Sequence, residues 1–60
     1  MKKCYIVLIK GKKSDRLIKA FGMGCSEYIE DLLKYAILDF KKEKGEDVEI
    51  FDIQIREVLQ

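Results

Sequence analysis

The sequence predicts a small α+β domain: a three-stranded antiparallel sheet in the order 2-1-3 with one helix packed on one face. Three observations predict it. At 60 residues the chain can hold one core and one domain, spanning 1–60. Its apolar residues alternate in three stretches and recur at helical spacing in a fourth, giving the order β-β-α-β. A helix leading from the second strand to the third crosses right-handedly and leaves those two parallel, so the first strand fits between them, antiparallel to both.

The first strand runs from Cys4 to Ile9 and is apolar on both alternating faces, Cys4, Ile6 and Leu8 on one, Tyr5, Val7 and Ile9 on the other, as a central strand should be. Lys2 and Lys3 precede an apolar run that Lys10 interrupts too early for a signal sequence, so the run reads as a strand. The turn expected next spans Lys10 to Asp15, with Gly11 as its flexible residue. Arg16 to Phe21 forms the second strand of a hairpin, with Leu17 and Phe21 facing one way and Ile18 and Ala20 the other. Gly22-Met23-Gly24 ends it, and Cys25 or Ser26 caps a helix whose first turn carries Glu27, Glu30 and Asp31, charges that the helix dipole favours there. Ile29, Leu32, Leu33, Ala36, Ile37 and Phe40 lie on one face of that helix, from about Ser26 to Lys44. Lys41, Lys42 and Lys44 complement its carbonyl end, and Gly45 supplies the positive φ that stops it. Val48 to Leu59 is the third strand; Val48 and Ile50 are out of phase with Phe51, Ile53 and Ile55, which predicts a bulge near Ile50 and Phe51 or burial of both faces.

Composition limits the function classes. Apolar residues make up 48% and charged residues 38%, the latter well above the usual ~25%, so a small core sits inside a dense charged shell. There is no His, Trp or Pro, which removes the commonest general base and the commonest zinc ligand. Cys4 and Cys25 are too few for a disulfide framework or a four-ligand zinc site, and with no run long enough to cross a bilayer the expectation is a cytoplasmic protein without a membrane partner. Cys25 near a helix start could be a lowered-pKa thiol, but no His can serve it as a base, and a buried structural cysteine is the better reading. Gly22 to Ser26 precedes a helix as phosphate loops do, yet the acidic first turn would repel a phosphate. No catalytic residue, cofactor or metal site is expected, and the chain is not read as an enzyme.

Charge is segregated: residues 1–20 carry net +6 and residues 43–60 carry net −4. The basic hairpin residues Lys10, Lys12, Lys13, Arg16 and Lys19 could track a phosphate backbone, although no aromatic interleaves them and the overall pI is near 7.7. The acidic stretch holding Glu46, Asp47, Glu49 and Asp52 could meet a basic surface on another protein. One helix covers one sheet face, so the other face needs a cover, and the simplest is a second copy. Tyr5, Val7 and Ile9, with Tyr28, Tyr35 and Leu38 from the helix, are the expected interface of a homodimer or higher homo-oligomer. The strand-strand-helix outline with Gly24-Cys25 before the helix resembles the small HicB-type antitoxin domain. That family's Gly-Asp/Thr and Glu-Glu-Ala segment is absent, and no property is carried over. The expected function is a small intracellular protein-binding module, a homodimeric inhibitor or adaptor that occupies a surface of a larger protein, of the kind phages and mobile elements use in counter-defence. The alternative is a nucleic-acid-binding regulator using the hairpin from Lys10 to Lys19.

Overall fold

A computed structural model describes residues 1–59. The chain runs β1 (Lys3–Lys13), β2 (Arg16–Ser26), α1 (Ile29–Lys44) and β3 (Glu49–Val58). Its sheet has the order β2-β1-β3 with both pairings antiparallel, the architecture expected from the sequence. Strand β1, apolar on both faces, is central.

The hairpin differs from its expected outline. Lys10 to Lys13, expected in the turn, continue β1, and the turn is only Ser14-Asp15, with φ of 49° and 65°. Two successive positive φ values make the tight turn whose twist matches that of the flanking strands. Lys13 pairs with Arg16, and pairing continues unbroken to Lys3 opposite Ser26. Gly11 is buried strand, not a flexible turn residue, because Phe40 and Val48 pack where its side chain would be. Strand β2 likewise runs through Gly22-Met23-Gly24 instead of stopping there. Gly24 pairs with Tyr5 in the strand, and it must stay small because Leu32 of α1 lies directly against it.

The helix starts at Ile29, later than the expected Ser26, with Tyr28 at the N-cap position and no side-chain cap. Ser26 Oγ instead accepts from Tyr28 N–H (3.2 Å) and donates to Tyr28 C=O (3.0 Å), closing a small turn between strand and helix. The far end is as expected: Gly45, at φ 112°, donates its N–H to Lys41 C=O (2.8 Å). Lys13 of the hairpin donates to Lys44 C=O (2.8 Å), satisfying another carbonyl of that end.

The bulge falls where the sequence placed it. Lys10 pairs with Asp52 and Gly11 with Ile50, so Phe51 faces no β1 residue. Val7, Ile9, Phe40 and Val48 form the buried core, with Ile18, Ala20, Leu32, Ala36, Ile50, Ile53 and Ile55 packed around it. Val7 and Ile9 are 5% and 3% exposed. They lie under the helix, so the uncovered face of β1 is that of Cys4, Ile6 and Leu8.

Candidate protein interface

Directly paired residues share a sheet face. On the face away from the helix, Ile6 stands opposite Met23 and Leu8 opposite Phe21. Leu17, Phe21 and Met23 are 72%, 71% and 67% exposed. The bulge adds Phe51, 58% exposed, which borders a shallow pocket with Lys10, Leu17 and Lys19. Met23 and Phe21 with Ile6 and Leu8 therefore form an apolar patch on the open face of β1 and β2, the Lys10–Lys19 pair crosses the face between that patch and Leu17, and Asp52, Gln54 and Arg56 make the β3 side of the same face polar. Exposed apolar side chains clustered on one face of a small protein are a recurrent mark of an interaction surface.

One end of the patch is closed by a disulfide between Cys4 and Cys25, which sit directly opposite one another. Cys25 is thus an exposed, bonded strand residue, not a buried thiol at a helix start. Disulfides persist mainly in oxidising compartments. No helix is long and apolar enough to cross a membrane, among the described residues.

On the opposite side a groove of about 300 Å³ runs between α1 and the free edge of β2. The helix crosses the sheet diagonally. Leu32 touches Gly24 on β2, whereas Phe40, later in the helix, lies over Gly11 on β1. Between those points α1 stands back from β2, and a Cβ built on Gly22 would meet nothing within 4 Å. Tyr35 and Asp39 form the helical wall of this groove, and Ala20 and Gly22 lie on the strand side.

The charged candidates fare differently once folded. The basic end of β1 lies beside the acidic start of β3, and the two partly neutralise each other. Lys13 lies 3.3 Å from Asp47, Lys10 lies 3.9 Å from Asp52, and Lys12 lies 3.9 Å from Asp15. Arg16 and Lys19, with Glu46 and Glu49 on the acidic side, make no ion pair among the described residues. Lys10, Lys12 and Lys19 share the open face, whereas Lys13 and Arg16 belong to the helix side, so the five cations do not form one track. Of the six expected interface residues, Val7 and Ile9 are core and Tyr5 is half-buried on their side. Tyr28, Tyr35 and Leu38 are exposed, at 61%, 64% and 54%. Leu17, Phe21, Met23 and Phe51 lie outside the interface expected from the sequence. Strand alternation places Leu17 and Phe21 on one shared face, and that is the signal in the sequence that marks them. The residues from Gly22 to Ser26 are strand and form no phosphate loop. Among the described residues no group of three or more His, Cys, Asp or Glu side chains could hold a metal ion.

No protein-family model matches the chain, and neither does any curated protein or solved structure.

Proposed function

We propose that this chain is a non-enzymatic protein-binding module, a homodimer that acts as an inhibitor or adaptor by laying the open face of its sheet on a larger protein. The observation that carries the reading is the group of exposed apolar side chains Leu17, Phe21, Met23 and Phe51. Burying apolar area is the main favourable term in most protein association, and these side chains give up water readily because they carry no polar atoms. Lys10 and Lys19 cross the face between Phe21 and Leu17, and Lys12 stands beside Leu17 at the hairpin end. The complementary partner surface is apolar with carboxylates set to meet these lysines. A counter-defence role for a phage or mobile element, acting in the host cytoplasm, is the biological setting proposed. Nucleic-acid binding is the weaker reading, since Lys10, Lys12 and Lys13 already face carboxylates within the chain.

The test is capture from lysate of the native host, with and without nuclease, comparing wild type with Met23→Glu and Phe51→Glu. Both residues are largely exposed, so folding should survive. The expected result is one protein retained by wild type in both arms and lost with both variants. Retention undiminished in both variants refutes the open face as the docking surface, and retention that vanishes with nuclease favours the hairpin.

A further inference from the structure

The sheet has two free edges, and they are built differently. Edge β3 carries Glu49, Asp52, Arg56 and Glu57 and is bent by the bulge at Phe51, both devices that discourage another strand from pairing. Edge β2 has neither. Its pairing with β1 is unbroken over 11 residues, it has no proline, and Lys19 is the one charge between its ends. A long, regular, apolar edge of this kind is a template for strand addition.

We infer that the occupant of this edge is a second copy of the same chain, pairing β2 with β2 antiparallel about a two-fold axis at Phe21. The inference rests on the dimeric reading above and specifies its seam. Phase selects the register. A two-residue turn closes on a hydrogen-bonded pair, here Lys13 and Arg16, and hydrogen-bonded pairs then alternate along the ladder. Residues 16, 18, 20, 22, 24 and 26 therefore direct N–H and C=O towards β1, while Leu17, Lys19, Phe21, Met23 and Cys25 direct theirs outward. Phe21 belongs to the outward set and is the middle residue of Arg16–Ser26. Placing the axis on it lets every outward group find a partner along the whole strand.

The side chains suit that register. On the helix side Ala20 meets the partner's Gly22, and Ile18 meets the partner's Gly24, so small residues lie at the axis. The two grooves then face each other above them, and Tyr35, otherwise 64% exposed, gains a neighbour across the axis. On the open side the two Phe21 rings stand side by side and join the apolar patches of both copies into one. Charge agrees as well. Arg16 lies opposite the partner's Ser26, next to Glu27 and the acidic first turn of Glu30 and Asp31. Antiparallel pairing thus sets the basic start of each β2 against the acidic end of the other, a match that a parallel pairing would reverse.

The closing experiment combines sedimentation equilibrium with amide hydrogen exchange on the isolated chain. The expected mass is twice the 7.0 kDa of one chain, with the amides of Lys19, Phe21 and Met23 protected alongside those of Ala20 and Gly22. Phe21→Pro removes an outward N–H while sparing the ladder to β1, as an edge strand allows, and should weaken association at least ~100-fold with the far-UV spectrum retained. Three results overturn the seam: a 7.0 kDa mass at every concentration up to millimolar, a dimer whose Lys19, Phe21 and Met23 amides exchange freely, or a folded Phe21→Pro variant that remains dimeric. The exchange pattern is read on wild type, so it decides even where the variant fails to fold. A monomer that still captures its target overturns the seam alone, and a dimer that captures nothing overturns target binding alone.

Discussion

Two glycine-to-alanine substitutions should move stability in opposite directions. A Cβ on Gly11 would lie 3.0 Å from Phe40 Cε2, 3.0 Å from Val48 Cγ2 and 3.1 Å from the Glu49 carbonyl oxygen, inside the ~3.5 to 4.0 Å at which carbon atoms attract. None of these can yield cheaply: Phe40 and Val48 are 2% and 4% exposed, and the Glu49 oxygen is backbone. Overpacking of this kind costs about 1 to 3 kcal/mol, set against a gain of roughly 0.5 to 1 kcal/mol for replacing glycine within a regular element. The net for Gly11→Ala is a loss of up to about 2.5 kcal/mol, centred near 1 kcal/mol, from a total of roughly 3 to 9 kcal/mol for a chain of this length. At ~4 to 8 °C per kcal/mol the midpoint should fall by roughly 4 to 8 °C at the central value. Gly22→Ala meets open space within the protomer and has ordinary strand φ, so it keeps only the gain and should melt slightly higher. Thermal melts followed by far-UV circular dichroism, at one matched concentration, measure both. A Gly11→Ala midpoint at or above wild type, or equal falls in both variants, would refute the packing described around Gly11.

The Cys4–Cys25 bridge closes a loop with a sequence separation of 21, for which the chain-entropy relation gives about 3 kcal/mol. The double variant Cys4→Ser plus Cys25→Ser should lose most of that in urea titration, and wild type unfolded without reductant should show no reactive thiol. Lys13 donates to the Lys44 carbonyl and lies beside Asp47. Lys13→Ala should cost about 1 kcal/mol, whereas Lys12→Ala, whose partner Asp15 is almost fully exposed, should change the urea midpoint by less than ~0.5 kcal/mol equivalent.

Much of the fold was legible in the chain. The element order, the central place of β1, the stop at Gly45 and the bulge beside Phe51 follow from local pattern, because alternation and helical spacing record burial directly. The helix start was less so. Ser26 has the chemistry of a cap, but its hydroxyl turns to Tyr28 and the helix begins at Ile29. The glycines misled more. Gly11 and Gly24 read as turn residues, yet each is a strand position kept small by a side chain from another element, Phe40 in one case and Leu32 in the other.

The candidate site shows the same division. Sequence by itself determined that β1 is apolar on both faces, that Leu17 and Phe21 share a face opposite Ile18 and Ala20, and that one helix cannot cover two sides. Tertiary structure alone decided that Val7 and Ile9 lie beneath the helix and that Leu8, Phe21 and Met23 face water. Strand alternation tells which residues lie together but carries no sign for which side the helix takes. Charge obeyed the same limit: two oppositely charged ends, far apart along the chain, read as two binding surfaces. The sheet sets the end of β1 beside the start of β3, so Lys13 meets Asp47 and Lys10 meets Asp52. Electrostatic energy depends on distance in space, which strand pairing sets and sequence separation does not.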